Sequence, residues 1–337
     1  MPPIEARPKG SRSPRSAEER AITVGVSDAR LGFIKALVIA VNRETGEASF
    51  DPLTGRGSNF CDSVGFGLLE WSDWGKRTGS MDLPFDLIST DFDGTIFEEF
   101  ETPSIAHEFE RRIAWLQERG VKWVINTGRS YDSLMLSLEQ ADLSVTPNYL
   151  VLVEREIHIW KNGRFAGHDV WNEQCEDKHA SLFELIRMDV RELSEWVRAT
   201  FPGTHVYSDA HSPMCVTARC NEESDAIQIR MQEYCETHPE LVWVRNDVHS
   251  RFSHIEFSKG TALREIAERL DIPAERIFAA GDELNDLPML RADVAGFLAA
   301  PANAVPEVRE QVESEGGYVA TRSFAAGVDE AIGRLLE

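Results

Sequence analysis

Apolar runs alternate with amphipathic segments over much of this chain. The first run, at 85–90, is short and mostly apolar, which is typical of a buried strand. The segments after it are predicted as a helix over 104–119, a strand over 121–126 and a helix over 130–140. The pattern returns as a helix over 261–270, a strand over 277–280 and a helix that begins within 287–291. This order predicts an α/β fold with a parallel sheet and right-handed crossovers.

The stretch 150–257, between the two alternating regions, is less regular. Strands are predicted over 150–153, 157–160, 214–217 and 241–245, and helices over 181–199 and 222–236. A turn is predicted at Lys161-Asn162-Gly163. This mixture predicts a separate α+β unit that is inserted into the parallel-sheet domain.

The composition argues against several classes of protein. Of the 337 residues, 42% are hydrophobic and 27% are charged, which is typical of a globular protein. The net charge of −22 argues against a nucleic-acid partner, because such proteins usually carry a basic surface. No apolar run reaches the roughly 18 residues that cross a bilayer, so we expect no membrane association. The five cysteines include no C-x-x-C pair, and we expect a cytoplasmic location.

Residues 1–80 differ from the rest of the chain in charge. They contain 11 basic and 10 acidic residues, a net of +1, so residues 81–337 carry all of the negative net charge, −23. Residues 1–20 are rich in Pro, Arg, Ser and Glu and are predicted to be a disordered tail. Met81 stands just before the first predicted strand. The stretch 1–80 is therefore either an N-terminal extension with a small folded module or an artefact of start-site choice.

Two aspartates follow the first predicted strand, within Asp91-Phe92-Asp93-Gly94-Thr95. Residues i and i+2 of an extended backbone point to the same side, so Asp91 and Asp93 are expected to present two carboxylates together. Open α/β sheets bind their ligands at the carboxyl ends of the strands. Two adjacent carboxylates need a proton or a cation between them. Taken alone, this segment is also compatible with a surface turn, because Asp and Gly favour turns.

Four motifs in this order resemble those of the haloacid dehalogenase superfamily of phosphatases and phosphomutases. The first motif is 91–95, and the second is Val124-Ile-Asn-Thr-Gly-Arg129, where a strand ends in Thr-Gly-Arg. The third is Ser258-Lys-Gly-Thr-Ala-Leu263, in which a lysine opens a helix. The fourth is Ala279-Ala-Gly-Asp-Glu-Leu-Asn-Asp286. The resemblance covers 84–337 and implies a Rossmann-like parallel-sheet core.

The resemblance implies catalytic roles for the motif residues. Asp91 is expected to attack phosphorus and form an aspartyl-phosphate, with Asp93 as general acid and base. The phosphoryl oxygens are expected to be bound by Thr127, Gly128, Lys259 and Asn285. Arg129 is expected either to form an ion pair that fixes its loop or to contact the substrate.

A magnesium site is implied by the same motifs. Its expected ligands are Asp91, the main-chain carbonyl of Asp93 and Asp282, an all-oxygen set that suits Mg²⁺. Asp286 is expected either to bind a metal-bound water or to orient Lys259. Each of these residues has a plainer alternative when considered singly, such as a helix cap or a solvated lysine.

The long insertion resembles the class IIB cap of the superfamily, a domain that covers the active site and selects the substrate. The implied organisation is a catalytic core over 81–149 and 255–337 with a cap over 150–254. The branch includes Cof-like and sucrose-phosphate phosphatases. One departure from its pattern is that Glu154 and Arg155 replace small residues after the third core strand. Candidate cap cations that could face a substrate are His158, Lys161, Lys178, His179, Arg219, Arg245 and His254.

The leading functional hypothesis is Mg²⁺-dependent hydrolysis of a small phosphorylated metabolite, with a sugar phosphate as the expected substrate. A sugar phosphomutase would use the same aspartyl-phosphate but return the phosphoryl group to a bound sugar. A third hypothesis is a non-catalytic binding module that kept the fold. The oligomeric state and the identity of the substrate do not follow from the sequence.

Overall fold

The structure, a computed structural model, describes residues 83–337. The predicted disordered tail, the extension 1–80 and the proposed start at Met81 lie outside the described residues. The helices are α1 His107–Gln117, α2 Tyr131–Gln140, α3 Asp169–Leu185, α4 Arg187–Thr200, α5 Asn221–Cys235, α6 Lys259–Leu270, α7 Pro306–Ser314 and α8 Phe324–Leu336. The strands are β1 Leu87–Thr90, β2 Lys122–Asn126, β3 Tyr149–Leu152, β4 Glu156–Lys161, β5 Arg164–Gly167, β6 His205–Tyr207, β7 Cys215–Thr217, β8 Leu241–Asn246, β9 His249–His254, β10 Ile277–Ala280, β11 Phe297–Ala300 and β12 Tyr318–Val319.

Eight strands form the larger sheet, in the order β12-β11-β10-β1-β2-β3-β4-β5. The pairings from β12 to β3 are parallel, and β3, β4 and β5 pair antiparallel. The parallel part confirms the predicted α/β class. Because β1 lies between β10 and β2, the carboxyl ends of these three strands meet at one edge, where such sheets bind ligands.

Helices cover both faces of the larger sheet. Successive strand residues point to opposite sides, and apolar residues on each side need a covering layer. Ile88 and Trp123 pack into a core with residues of α1 and α8. Leu87 and Val124 pack on the other face with residues of α6 and α7. All four side chains are buried, which is why these central strands have apolar residues on both faces. Burial also fixes the register of the strands, because a shift by one residue would exchange the residues that face the two cores.

A smaller antiparallel sheet, in the order β6-β7-β9-β8, lies between β5 and α6 in the sequence. It has its own core, in which Phe252 of β9, Trp243 of β8 and Met231 of α5 are buried. The sequence analysis grouped 150–254 in one unit. In the structure, however, residues 149–167 pair with the larger sheet, because Val151 and Ile157 are buried in its core.

Two helix predictions differ from the structure. The predicted helix over 181–199 is two helices, which separate at Ile186, and the first begins much earlier, at Asp169. No helix begins within 287–291; the chain makes a turn there after a short 3₁₀ segment at Leu284–Asp286. The Asp286 carboxylate accepts the backbone N–H groups of Asp282 and Glu283 and so closes the turn around this 3₁₀ segment. Among residues 83–337, no helix is long and apolar enough to cross a membrane.

Candidate active site

Three strand ends and one helix start bring the motif residues together. Asp91 follows β1, Thr127 follows β2, and Asp282 lies two residues beyond β10. Lys259 is the first residue of α6, which begins with a capping box: Ser258 Oγ accepts the N–H of Thr261, and Thr261 Oγ1 accepts the N–H of Ser258. The strand ends converge because β1, β2 and β10 are adjacent and parallel, and α6 packs its apolar side chains on the same strands.

Lys259 is fully buried and carries two carboxylate partners. Its Nζ lies 2.6 Å from Asp91 Oδ1 and 2.5 Å from Asp286 Oδ1. Burial alone would lower the pKa of Lys259, but Asp286 and Asp91 outweigh it and raise the pKa above its ordinary value. The main-chain carbonyl of Lys259 accepts from Asn126 Nδ2 at 3.0 Å, which holds the start of α6 against β2. The lysine is therefore charged and fixed at the end of β1.

Asp91 and Asp282 form a buried acidic pair beside this lysine. Burial raises the pKa of Asp91 to about 7, although Lys259 opposes the shift. Burial, and then repulsion from Asp91 and Asp286, raises the pKa of Asp282 well above its ordinary value. Asp282 Oδ1 accepts a hydrogen bond from Thr95 Oγ1 at 2.7 Å. When ionised, the two aspartates would carry more negative charge than the one lysine balances, which together with burial is why their pKa values are raised.

Three carboxylates of this cluster are close enough to share one cation. Oxygens of Asp91, Asp282 and Asp286 lie within 4.8 Å of one another, and all three residues are buried. Asp286 is already occupied: Oδ1 accepts from Lys259, and Oδ2 accepts the backbone N–H groups of Asp282 and Glu283 at 2.9 and 3.0 Å. The hard oxygen donors, the burial and the charge imbalance all fit a small divalent cation such as Mg²⁺.

Gly94 allows the first motif to approach the fourth. Its φ is +75°, a conformation that residues with a Cβ rarely adopt. A Cβ at this position would lie 2.1 Å from Asp282 Oδ2. The glycine of the D-x-D-G-T segment is therefore required by the position of Asp282 as well as by the turn.

Asp93 lies in a different environment from Asp91. Its carboxylate is partly exposed and accepts three hydrogen bonds from Arg129, at 3.0 and 2.7 Å from Nε and 2.6 Å from Nη2. Arg129 Nη1 also donates to Ser137 Oγ at 2.8 Å, on α2. Of the two roles expected for Arg129, the structure shows the ion pair.

The loop after β2 and the fourth motif meet at Glu154. Thr127 is buried, and its Oγ1 accepts the N–H of Arg129 at 3.1 Å. Gly128 lies so close to Glu154 that a Cβ would be 3.3 Å from Glu154 Oε1. Asn285 Nδ2 donates to the same oxygen at 2.8 Å, and Asn285 Oδ1 is buried with no hydrogen-bond partner among the described residues. Three of the predicted phosphate-binding residues, Thr127, Gly128 and Asn285, therefore lie against one buried glutamate.

Arg251 is a site residue that the sequence analysis missed. Its Nη2 donates to Glu154 Oε2 at 3.1 Å, although 97 positions separate the two residues. A weak signal was available: Phe252 is an apolar core position of a strand, so Arg251 has to point to the opposite side. Arg155, which follows Glu154 in the chain, donates from Nη2 to the carbonyl of His211 at 2.6 Å. Both replacements of small residues, Glu154 and Arg155, thus contact the smaller sheet or its loops.

A cavity of about 440 Å³ opens beside Asp93, Gly128 and Arg129. Its opposite wall comes from the smaller sheet and its loops, with Tyr207, Asp209, Asn246, His249 and Arg251 among the lining residues. None of the cap cations proposed from the sequence lines this cavity. Instead, Arg219 pairs with Glu223 and Lys178 with Glu256, both at least partly exposed pairs. Arg245 pairs with Asp225 and lines a second cavity, of about 370 Å³, that Lys259 and Asn285 also line.

The chain matches the family of haloacid dehalogenase-like hydrolases over residues 88–181 and 205–325. These segments include Asp91, Thr127, Lys259 and Asp282. The matched region therefore contains all four motifs.

Individual relatives are similar over different lengths. A phosphoglycolate phosphatase from Methanothrix thermoacetophila is 46% identical over 78 residues, which is 23% of this chain and about a third (32%) of that protein. The 5-amino-6-(5-phospho-D-ribitylamino)uracil phosphatase YcsE from Bacillus subtilis is 24% identical over 267 residues, 74% of this chain and 96% of that protein.

Among solved structures, the fold is similar to a sucrose-phosphatase from Synechocystis sp. PCC6803 in complex with sucrose and phosphate. The TM-score is 0.57 and the identity 18%, over 75% of this chain and 98% of that chain. At this identity the similarity concerns the fold alone. The comparisons confirm the predicted resemblance and fold class, and they support the predicted class of enzyme, a phosphatase.

Proposed function

Because the chain belongs to the haloacid dehalogenase-like hydrolase family, we propose that it is a Mg²⁺-dependent phosphatase that acts on a small phosphate monoester through an aspartyl-phosphate. The observation that carries the proposal is the buried Asp91 carboxylate, which lies at the end of β1 and 2.6 Å from Lys259 Nζ. A carboxylate can attack phosphorus, and a fixed ammonium beside it stabilises the negative charge of the phosphoryl oxygens.

Asp91 is the proposed nucleophile. Its Oδ1 accepts a hydrogen bond from Lys259, whereas its Oδ2 accepts none from the side chains of residues 83–337. Attack by this carboxylate on phosphorus forms the acyl-phosphate bond and breaks the bond to the leaving alcohol oxygen. Water then hydrolyses the acyl-phosphate and restores the carboxylate.

Asp93 is the proposed general acid and base. It protonates the leaving oxygen and afterwards takes a proton from the attacking water. In the structure its carboxylate is bound to Arg129, so the aspartate has to leave this ion pair to carry a proton to the substrate. Arg129 therefore holds Asp93 at the cavity wall.

Positioning and charge neutralisation are the main needs of phosphoryl transfer. The groups proposed to bind the phosphoryl oxygens are Thr127 Oγ1, the Gly128 N–H, Lys259 Nζ and Asn285. Asp91 and Asp282, together with the carbonyl of Asp93, are the proposed magnesium ligands. Bound Mg²⁺ supplies further positive charge to the phosphate. Of the two roles expected for Asp286, the hydrogen bonds favour the orientation of Lys259 and of the turn at 281–283.

A polyhydroxylated alcohol such as a sugar is the proposed leaving group. Both arginines that line the cavity are paired with carboxylates, Arg129 with Asp93 and Arg251 with Glu154. Two histidines also line it: His211 contacts Glu156, and His249 contacts Thr217. The other polar groups are the Tyr207 hydroxyl, the Asn246 amide and the Asp209 carboxylate, one oxygen of which accepts two backbone N–H groups. These groups suit neutral hydroxyls better than a second anionic group. Two of the relatives above also carry names of phosphatases for substrates with sugar or sugar-alcohol parts.

The test is a phosphate-release screen of the full chain with Mg²⁺. The panel includes sugar phosphates, ribitol 5-phosphate, phosphoglycolate and p-nitrophenyl phosphate, each with an EDTA control. We expect release from one or more polyol phosphates, less from phosphoglycolate and none in EDTA. Full release in EDTA would contradict the metal requirement, and a preference for phosphoglycolate would contradict the proposed substrate class.

A sugar phosphomutase is the alternative, because it uses the same aspartyl-phosphate. It would convert one sugar phosphate into an isomer, require a bisphosphate primer and release little free phosphate. Measuring isomer formation and free phosphate in one reaction separates the two. If neither product forms with any compound, the non-catalytic binding module becomes the better description.

A further inference from the structure

The loop after β3 has an unusual backbone at two consecutive residues. The φ of Val153 is 45° and that of Glu154 is 68°, in the left-handed region that is costly for residues with a Cβ and most costly for β-branched ones. Two hydrogen bonds fix this backbone to the phosphate-binding loop: the Val153 N–H donates to the Arg129 carbonyl at 3.0 Å, and the Glu154 N–H to the Thr127 carbonyl at 2.9 Å. The strain is thus held at a functional loop, where such conformations are commonly found.

The Glu154 side chain joins three parts of the site. One oxygen accepts from Asn285 Nδ2 at 2.8 Å, and the other accepts from Arg251 Nη2 at 3.1 Å. Arg251 Nη2 also lies 3.4 Å from the carbonyl of Gly128. Glu154 is 7% exposed, so its charge has little solvent to stabilise it. A single buried carboxylate therefore orients Asn285 and touches the loop at 127–129.

Arg251 provides the charge that keeps Glu154 ionised. Burial alone would raise the pKa of Glu154, but Arg251, followed by Lys259 and Asn285, brings it below its ordinary value. Arg251 belongs to β9 of the smaller sheet, whereas Glu154 belongs to the larger one. Without the arginine, a buried negative charge would stand unpaired beside the groups that bind a phosphate dianion.

We infer that Glu154 and Arg251 form a positioning pair that links the place of the smaller sheet to the affinity of the phosphate site. Glu154 orients Asn285 and the 127–129 loop toward the phosphate, and Arg251 neutralises Glu154 when β9 lies against the larger sheet. The inference rests on the proposed phosphatase function. Neither residue has a chemical step of its own, so the pair acts on phosphate binding more than on turnover of the bound ester.

The experiment compares Arg251→Met, Glu154→Gln and the double variant in the full chain. The readouts are kcat and KM for p-nitrophenyl phosphate, and the inhibition constant of inorganic phosphate. Arg251→Met is expected to raise KM and the inhibition constant by about 30-fold or more, with a smaller change in kcat, because it leaves Glu154 buried and unpaired. The double variant is expected to recover most of that loss, because it removes the unpaired charge.

Arg112→Met is the matched control. Arg112 pairs with Asp329 between α1 and α8, and the exposed fractions of the two side chains, 23% and 9%, resemble the 14% and 9% of Arg251 and Glu154. We expect this variant to lower the melting temperature and leave KM unchanged. If Arg251→Met behaved like Arg112→Met, or if the double variant were no better than Arg251→Met, the positioning pair would be rejected.

Two further measurements separate the inference from the proposed function. Arg251→Lys retains the charge and is expected to keep an intermediate KM, which provides a readout if Arg251→Met fails to fold. Calorimetric binding of inorganic phosphate in the presence of Mg²⁺ tests the pair without turnover. A wild type that binds phosphate but hydrolyses nothing would reject the phosphatase and leave the pair testable by binding. A wild type that does not bind phosphate would overturn both.

Discussion

Asp91 Oδ1 and Lys259 Nζ lie 2.6 Å apart although 168 positions separate the two residues in the chain. The contact joins the end of β1 to the first residue of α6, and both side chains are almost completely buried. A buried ion pair of this kind contributes little to stability on its own, because desolvation offsets the attraction. Its place at the edge of the sheet, with a second carboxylate on the same lysine, is better explained by catalysis.

Asp91→Asn is expected to abolish phosphatase activity while the fold is retained. The amide has nearly the same shape but cannot form the aspartyl-phosphate, so we expect a loss of roughly a thousandfold or more. Steady-state phosphate release and circular dichroism measure the two effects. Asp271→Asn is the control, because Asp271 ends α6 with a φ of 54°, a conformation that asparagine also tolerates. Substantial activity of Asp91→Asn would contradict the assignment of the nucleophile.

The affinity for Mg²⁺ is expected to rise with pH through neutrality. In the metal-free protein, burial raises the pKa of Asp91 to about 7. Below that pH a proton has to leave Asp91 before its carboxylate can act as a ligand, and Asp282, whose pKa is also raised, has to lose its own proton. The affinity should therefore increase by at least about tenfold per pH unit below 7 and level off only where both carboxylates are ionised. Calorimetric titration with MgCl₂ at several pH values measures the effect. An affinity that stays constant or falls as the pH rises would contradict it.

Gly94→Ala and Gly120→Ala together separate backbone strain from steric displacement. Both glycines have positive φ, +75° and +96°, but a Cβ on Gly120 meets nothing within 4 Å. We expect each variant to lose about 1 to 2 kcal/mol of unfolding free energy from the backbone alone. Only Gly94→Ala should also lose activity and Mg²⁺ affinity, because its Cβ displaces Asp282. Equal activity of the two variants would show that the position of Asp282 is not critical.

Acid is expected to destabilise the protein through His179, which is buried between α3 and β9. Burial lowers its pKa from 6.5 to about 3. Its Nδ1 donates to the Cys175 carbonyl at 2.7 Å, and its Nε2 accepts the His254 N–H at 3.0 Å. The unfolded chain binds a proton at His179 more readily than the folded protein does. The contribution of the neutral His179 to the free energy of unfolding is therefore complete above pH 6.5, and it falls by roughly 1.4 kcal/mol per pH unit below pH 6.5.

Denaturant unfolding at a series of pH values between those two pKa values tests this expectation. His179→Gln should show a shallower loss of stability on acidification. The exposed His205 offers a matched control, since His205→Gln should follow the wild type. Parallel curves for His179→Gln and the wild type would assign the acid sensitivity to other groups.

The parallel sheet could be predicted because it depends on local patterns of apolar residues, whereas the central site residues were named by the resemblance of the four motifs. Asp91 and Thr127 each follow a strand, so the sheet order brings them together. Lys259 opens α6, and its place also depends on the packing of that helix, since its carbonyl accepts from Asn126 Nδ2 of β2. Arg251 was missed because its contact with Glu154 depends on how the smaller sheet packs. No local rule gives that arrangement. The membership of 149–167 in the larger sheet was missed for the same reason, since an antiparallel addition leaves no helix between its strands.

Completion of the larger sheet depends on the pairing of β1 with β10. Beside this pair of strands, Arg276 donates to Asp86, and 190 positions of sequence separate the two residues. Contacts between such distant segments form slowly, because a long loop has to close before the contact is gained. The smaller sheet, by contrast, uses only partners within 204–254 and can assemble inside that loop. Recovery of catalytic activity after dilution from denaturant would therefore mark the last stage of folding, well after most secondary structure has returned.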